Sequence, residues 1–150
     1  VDALKAQLEF IPRFHDGYSC IYGIWADKPI CRDQADHSVL MSSRLYEKVF
    51  MPYDLKVINA FEYTVFHLHS ANIHIARALT KIPNLRAIQV SIDYPAKAFS
   101  PSMEKLIPIF KEIQKSKPLI VTGPVTEDEM HLILDELSPE GLALKIYRLS

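Results

Sequence analysis

Cysteine is scarce in this sequence, and its scarcity excludes two classes of small protein. The chain has 150 residues and two cysteines, Cys20 and Cys31. Two cysteines are too few for the disulfide framework of a small secreted domain, and their spacing is not the Cys-x-x-Cys pattern of many structural zinc sites. We therefore predict a protein of the reducing cytoplasm.

Excess charge and long apolar runs are also lacking. Lysine and arginine number 17 against 18 acidic residues, a net charge of -1, which provides no general attraction to nucleic acid or to anionic membranes. No apolar run approaches the roughly 20 residues that cross a bilayer. We therefore predict neither nucleic-acid nor membrane partners. Hydrophobic residues make up 49% of the chain, which is enough for one buried core and predicts a single domain over residues 1–150.

Apolar runs alternate with amphipathic segments, and this alternation predicts an α/β protein. Strands are predicted at residues 17–25, 34–41, 64–70, 85–93, 119–121 and 142–149, with a loop at 26–32. Helices are predicted at residues 2–15, 42–61, 71–82, 103–114 and 126–137. Pro52, near the middle of the second helix, predicts either a bend in it or two separate helices. Short connections between such units lead to a parallel sheet, which is either open or curved into a barrel.

The ends of the predicted strands favour a barrel. No Gly-x-Gly-x-x-Gly follows a strand, and polar residues stand there instead, as at the mouth of a (β/α)8 barrel. Five or six strands cannot close such a barrel, which has roughly 250 residues. The first residues, from Val1, read like the middle of a helix. We therefore expect the C-terminal part of a barrel and a fragment of a longer protein.

Two histidines end the predicted strand at residues 64–70. Side chains alternate between the two faces of a strand, so His67 and His69 project on the same side, with backbones roughly 6 to 7 Å apart. Two imidazoles on one face can share a ligand such as a metal ion. Alternatively, one histidine bonds a neighbouring carbonyl group and the other helps to fill the core.

The next predicted strand is polar towards its end. Gln89, Ser91 and Asp93 share one face of residues 85–93. Asp93 is at the end of the strand and is our predicted catalytic residue, and Gln89 is predicted to bind substrate. Alternatively, the three side chains form only a buried hydrogen-bond network.

The chain resembles the uroporphyrinogen decarboxylase superfamily in three stretches. They are Ser-Ser-Arg-Leu-Tyr-Glu-Lys-Val-Phe-Met-Pro-Tyr at residues 42–53, Phe-His-Leu-His-Ser at 66–70, and Ser-Pro-Glu-Gly-Leu at 138–142. The similarity covers residues 34–150 and is closest to the methylcobalamin:coenzyme M methyltransferase-like branch and its uncharacterised relatives. It implies a (β/α)8 barrel with its active site at the mouth. It also implies substrate-binding roles for Gln34 and Asp36, although Asp36 could instead bond the backbone at Ser38.

The methyltransferase branch has a zinc ion that activates a thiol for attack on a corrinoid-bound methyl group. Its zinc is bound by His-x-Cys and a further cysteine. His67 matches that histidine, His69 stands in place of the first cysteine, and no cysteine lies near residues 138–149. The resemblance therefore implies a metal site, with zinc as the candidate metal, at His67 and His69. Asp36 and Asp93 are candidates for the third ligand.

Three functions follow from these patterns. The first is methyl transfer between a corrinoid such as methylcobalamin, which a corrinoid protein could supply, and a thiol or related acceptor. The second is decarboxylation of a tetrapyrrole, although the C-terminal Gly-His-Gly pattern of the decarboxylases is replaced here by Leu-Ala-Leu. The third is a non-catalytic binding or assembly module. A partial barrel exposes sheet edges, so we expect the missing N-terminal half or a second copy to cover them.

Overall fold

The computed structural model describes residues 1–13, 15–93 and 100–149, and its centre is a five-stranded parallel sheet. The strands pair in chain order, β3-β4-β5-β6-β7, and each is connected to the next through helical segments. Two further strands, β1 and β2, form a short antiparallel pair near the N-terminus. The strands are β1 (Tyr18–Ser19), β2 (Trp25–Ala26), β3 (Ile30–Gln34), β4 (Tyr63–His69), β5 (Ala87–Ser91), β6 (Leu119–Val125) and β7 (Leu142–Arg148). The predicted alternation of parallel strands and helices is confirmed.

Helical segments follow each of the strands from β3 to β6. The α-helices are α1 (Asp2–Glu9), α2 (Ser43–Leu45), α3 (Met51–Ile58), α4 (Ala76–Thr80), α5 (Met103–Gln114) and α6 (Glu127–Glu136). A π-helical turn, Tyr46–Phe50, joins α2 to α3, and 3-10 turns at Asp36–Leu40 and Ser70–Ile75 precede α2 and α4. The bend predicted near Pro52 is this π turn followed by a new helix, with Pro52 in the first turn of α3.

The two faces of the sheet pack against different partners. Phe66 and Leu68 of β4 share the main core with Phe110 of α5 and Ile133 of α6. The opposite face has a smaller apolar cluster, whose buried members are Val65, Ala87 and Ile120 and which residues 22–24 help to cover. Helices α3 to α6 therefore pack on one face, whereas α1 contacts β3 and buries no residue in this core. We call the opposite face, which α3 to α6 leave uncovered, the helix-free face. His67 alternates with Phe66 and Leu68, so it lies on the helix-free face.

Local sequence explains the well-predicted helices. Pro101 and Ser102 precede α5, whose Leu106, Phe110 and Ile113 are buried at helical spacing. Thr126 and Glu129 form a reciprocal capping box at the start of α6. Both helices therefore begin at the predicted positions.

Three predictions near the N-terminus are wrong. Residues 17–25 are not a buried strand, because Gly23 adopts φ +78° in a turn between β1 and β2, which leaves Ile21 and Trp25 more than half exposed. Residues 26–32 are not all loop, since β3 begins at Ile30 and pairs with β4. Residues 34–41 are not a strand, since the chain turns into the 3-10 helix after Gln34 and leaves Leu40 88% exposed.

Within residues 1–13, 15–93 and 100–149, no helix has the length and apolar character that crossing a membrane requires.

Candidate metal centre

Asp36, His67 and His69 come together at the C-terminal ends of β3 and β4. One potential ligand atom from each residue lies within 4.8 Å of those of the other two. The register of β3 and β4 explains why the three side chains are close together. Gln34 pairs with His67, and Asp36 follows Gln34 by two residues. The two imidazole rings stand edge to face, with centroids 4.8 Å apart. The shared face predicted for the histidines is therefore present, and Asp36 adds a carboxylate to it.

The side-chain amide of Gln89 forms a hydrogen bond with the imidazole of His67. Nδ1 of His67 is hydrogen bonded to Oε1 of Gln89, and Nε2 of Gln89 donates to Oγ1 of Thr122 at 2.7 Å. Because the amide oxygen is an acceptor, Nδ1 of His67 carries the proton and Nε2 keeps its lone pair. Burial lowers the pKa of His67, which favours this neutral form at pH 7. A neutral imidazole with a lone pair on Nε2 is the form that binds a metal.

His69 has a carboxylate in the corresponding position. Its Nδ1 lies 2.7 Å from Oδ1 of Asp93, while Oδ2 of Asp93 accepts from the Ser70 hydroxyl and the Ala71 N–H. Burial acts to raise the pKa of Asp93, but these hydrogen bonds outweigh it and leave the pKa below its usual value. Asp93 is therefore a carboxylate that accepts the Nδ1 proton of His69 and directs Nε2 away from itself.

Asp36 is the most accessible of the three residues. It is the first residue of the 3-10 turn and is exposed, whereas His67 is buried and His69 is half-buried. Its Oδ2 accepts a hydrogen bond of 3.2 Å from Nε2 of Gln34, which limits the rotation of the carboxylate. The ligand cluster therefore has one side in contact with solvent.

The three residues fit zinc. Two imidazoles and one carboxylate form a common ligand set of catalytic zinc sites, which leave a fourth position open. Donor atoms around a tetrahedral zinc lie about 3.3 Å apart when the bonds are about 2.0 Å long. The ligand atoms are within 4.8 Å of one another, so each pair has to approach by at most about 1.5 Å to reach this spacing. The partners of both Nδ1 atoms are the outer interactions that commonly orient histidine ligands of metals.

The six residues predicted for the site fall into two groups, the residues of the ligand cluster and the residues hydrogen bonded to them. Asp36, His67 and His69 form the ligand cluster, with Gln34 beside it. Gln89 is fully buried behind His67, and Asp93 is bonded to His69. Gln89 and Asp93 thus lie where they orient imidazoles, in agreement with the alternative interpretation of a hydrogen-bond network. The substrate-binding role of Gln89 and the catalytic role of Asp93 stay predictions.

Sequence analysis missed three neighbours of the cluster. Thr122 bonds Gln89, and the Tyr22 hydroxyl lies 3.5 Å from Nδ1 of His67. Nε of Arg32 donates to the Tyr22 hydroxyl at 2.7 Å. Arg32 precedes Gln34 by two residues, and this alternation would have indicated the shared face if residues 26–32 had not been predicted as a loop.

Neither cysteine belongs to the cluster. Cys31 lies between Ile30 and Arg32 on β3, so its side chain points to the helix-packed face, and burial raises its pKa to about 11. Cys20 lies outside the group of ligand atoms. The site therefore has nitrogen and oxygen donors in place of thiolates.

A cavity of about 550 Å³ lies at the opposite ends of the strands. Its walls are mostly apolar and include Ile24, Val65, Ala87, Ile120 and Leu142. It belongs to the helix-free face, but it lies on the N-terminal side of the histidines. The helix-free face is therefore apolar at one end and polar at the end where the strands terminate.

Comparison with known proteins finds no matching family model, no matching curated protein and no matching solved structure.

Proposed function

We propose that this chain forms the metal-binding part of a corrinoid-dependent methyltransferase that uses a thiol or a related acceptor. The observation that carries the proposal is the convergence of Asp36, His67 and His69 to within 4.8 Å at the C-terminal ends of parallel strands. That edge is where α/β enzymes place their active sites. The sequence resemblance to the uroporphyrinogen decarboxylase superfamily supports the choice of methyl transfer.

The fold in this proposal is the C-terminal part of a (β/α)8 barrel. Five parallel strands in chain order with helices packed on one face agree with such a part. The helix-free face also has the two layers expected inside a barrel. Val65, Ala87 and Ile120 form a packed apolar layer, and the histidines and Gln89 form a polar layer towards the mouth.

Each polar residue has a defined task in the proposed site. Nε2 of His67 and of His69 and the carboxylate of Asp36 hold the metal. Gln89 and Asp93 keep the Nδ1 protons in place, so that both Nε2 lone pairs face the ligand cluster. When bound, zinc supplies a Lewis acid that lowers the pKa of an acceptor thiol. The exposed side of Asp36 leaves room for that acceptor and for a corrinoid, free or on a partner protein.

Additional strands complete the proposed barrel. Among the described strands, β3 and β7 each pair with a single neighbour in the parallel sheet, so one edge of each is open. Open edges and an apolar cavity on the helix-free face favour closure by further strands, from the rest of a barrel or from a second copy of the chain.

The first prediction concerns metal content. We expect about one zinc per chain after equilibration with zinc and removal of free metal, because three donors are already close together. The double variant His67→Ala/His69→Ala should lose this zinc. His131→Ala removes an exposed histidine of α6 and should bind zinc like the wild type. Elemental analysis of the purified proteins measures the content, and circular dichroism checks their folding.

A second measurement tests the chemistry. The zinc-loaded chain is mixed with methylcobalamin and 2-mercaptoethanol. The loss of the methyl group from methylcobalamin is followed by absorbance. Zinc-dependent demethylation that the double variant lacks would support methyl transfer. Zinc binding without demethylation would retain the metal site and reject this reaction. A folded chain without zinc would reject the site, and tetrapyrrole binding would then be the function to test.

A further inference from the structure

Arg32 brings a positive charge to the ligand cluster. It lies on β3 two residues before Gln34, and therefore on the same face as Gln34 and His67. Its side chain is exposed, and its Nε donates to the Tyr22 hydroxyl at 2.7 Å. Within the described part of the chain, the ion pairs involve other residues and leave Arg32 without a carboxylate partner.

Tyr22 connects this cation to the proposed metal site. Its hydroxyl lies 3.5 Å from Nδ1 of His67 and accepts the Nε–H of Arg32. Arg32, Tyr22 and His67 therefore form one continuous polar surface on the helix-free face.

Among residues 1–13, 15–93 and 100–149, the Arg32 guanidinium has one hydrogen bond, from Nε, and no ion pair. Nε is occupied by Tyr22, which leaves the two Nη groups as a planar pair of donors. Such a pair matches the two oxygens of a carboxylate, with which arginine forms two parallel hydrogen bonds. The anchoring by Tyr22 reduces the side-chain freedom that binding would otherwise remove.

We propose that Arg32, positioned by Tyr22, binds the carboxylate of a small-molecule substrate whose other end reaches the metal held by Asp36, His67 and His69. This inference rests on the proposed metal site and adds the chemical class of its substrate. Arg32 lies two residues, about 6.6 Å along the strand, before the level of His67. A substrate of this class therefore has a short linker between its metal-binding group and its carboxylate.

The test uses two ligands with the same metal-binding group. Succinic acid monohydroxamate carries a carboxylate at its far end, and butyrohydroxamate has a methyl group in the same place. Both are titrated into the zinc-loaded chain by isothermal titration calorimetry. We expect the carboxylate ligand to bind about tenfold more tightly to the wild type, as a hydrogen-bonded ion pair contributes on this scale. The ratio of the two dissociation constants, butyrohydroxamate over succinic acid monohydroxamate, should fall to about one in Arg32→Gln.

Three further variants separate binding by Arg32 from a general effect of charge or folding. Arg44→Gln removes an exposed arginine of α2 and should keep the tenfold ratio. Arg32→Lys keeps the charge without the planar donor pair, and its ratio should lie between those of wild type and Arg32→Gln. Tyr22→Phe should reduce the ratio by a smaller factor. Zinc content and circular dichroism show whether each variant retains its metal and fold.

The outcomes distinguish this proposal from the one on which it rests. Equal binding of the two hydroxamates to the zinc-loaded wild type would overturn the carboxylate subsite and leave the metal site standing. A ratio that Arg32→Gln does not change would overturn the role of Arg32. Failure of the wild type to bind zinc would overturn both proposals.

Discussion

The two histidines of the candidate metal centre have different partners behind them. His67 donates from Nδ1 to a neutral amide, Gln89, whereas His69 is hydrogen bonded to the carboxylate of Asp93. A charged group thus orients His69 and a neutral group orients His67. His67 is the more firmly buried of the two. Gln89, which was predicted to bind substrate, and Asp93, which was predicted to be catalytic, are thus the partners that orient the two imidazoles.

Replacing Gln89 tests this positioning role. Gln89→Met keeps a similar volume but removes the acceptor for Nδ1 of His67, so the imidazole is free to change its tautomer or rotate. We expect zinc affinity to fall about 10- to 100-fold, the usual cost of losing such a partner. Competition with a chromophoric chelator measures the change.

Thr122→Val is the matched control for Gln89. It removes the outer hydrogen bond to Gln89 and leaves the bond between Gln89 and His67 in place. Its effect on zinc affinity should be clearly smaller. Wild-type affinity in Gln89→Met would show that burial alone orients His67.

Single residues of the site were predictable to different degrees. The pair His67 and His69 follows from strand alternation, and Asp36 was already a candidate third ligand. Arg32 was missed because residues 26–32 were predicted as a loop, which concealed the alternation of Arg32 with Gln34 on β3. Thr122 is 33 residues away from Gln89 in the sequence and lies on a different strand. No local sequence pattern indicates the contact between them.

Secondary-structure elements were best predicted where local signals agree with packing. The helix α5 occupies the predicted residues because its apolar spacing and its Pro101 start signal coincide. The segment from residue 34 to residue 41 misled the prediction, because Val39, Leu40 and Met41 look like the end of a strand. In the structure they belong to or follow a 3-10 turn, and Leu40 contacts solvent. Hydrophobicity without a partner strand does not define a strand.

The capping box of α6 permits a test at the level of one element. Oγ1 of Thr126 accepts from the Glu129 N–H at 3.2 Å, and Oε2 of Glu129 accepts from the Thr126 N–H at 2.8 Å. Thr126→Ala removes the first acceptor, so we expect the free energy of unfolding to fall by about 1 kcal/mol. Urea denaturation measures it. Thr126→Ser keeps the hydroxyl and should lie close to wild type. Equal losses in both variants would assign the effect to the methyl group of Thr126.

At the scale of the whole molecule, the candidate metal centre joins separate parts of the sheet. Asp36 follows β3, both histidines end β4, and their partners Gln89 and Asp93 lie on or just beyond β5. A metal bound there should therefore stabilise the fold as a unit. Parallel pairing in chain order was predictable from the alternation of strands and helices. The contacts between side chains of different strands, such as that between Gln89 and Thr122, were not predictable, because they depend on long-range packing.

Zinc should raise the stability of the whole chain by mass action. At a free zinc concentration of 100 times the Kd, the expected gain is about 2.7 kcal/mol. For a chain of this length, that gain corresponds to a rise in Tm of about 5 to 10 °C. Thermal unfolding with and without zinc measures the shift. The double variant His67→Ala/His69→Ala should show none, and a similar shift in that variant would assign the stabilisation to zinc bound elsewhere.

The strict alternation of β4 also restricts how this sequence can vary in length. An insertion of one residue between Val65 and His67 would rotate both imidazoles onto the helix-packed face and bring apolar side chains to the ligand cluster. The connections between α3 and β4 and between α5 and β6 contain no residue of the ligand cluster and can gain or lose residues without this effect. Homologous chains should therefore show gaps in those connections and an ungapped block from Tyr63 to His69.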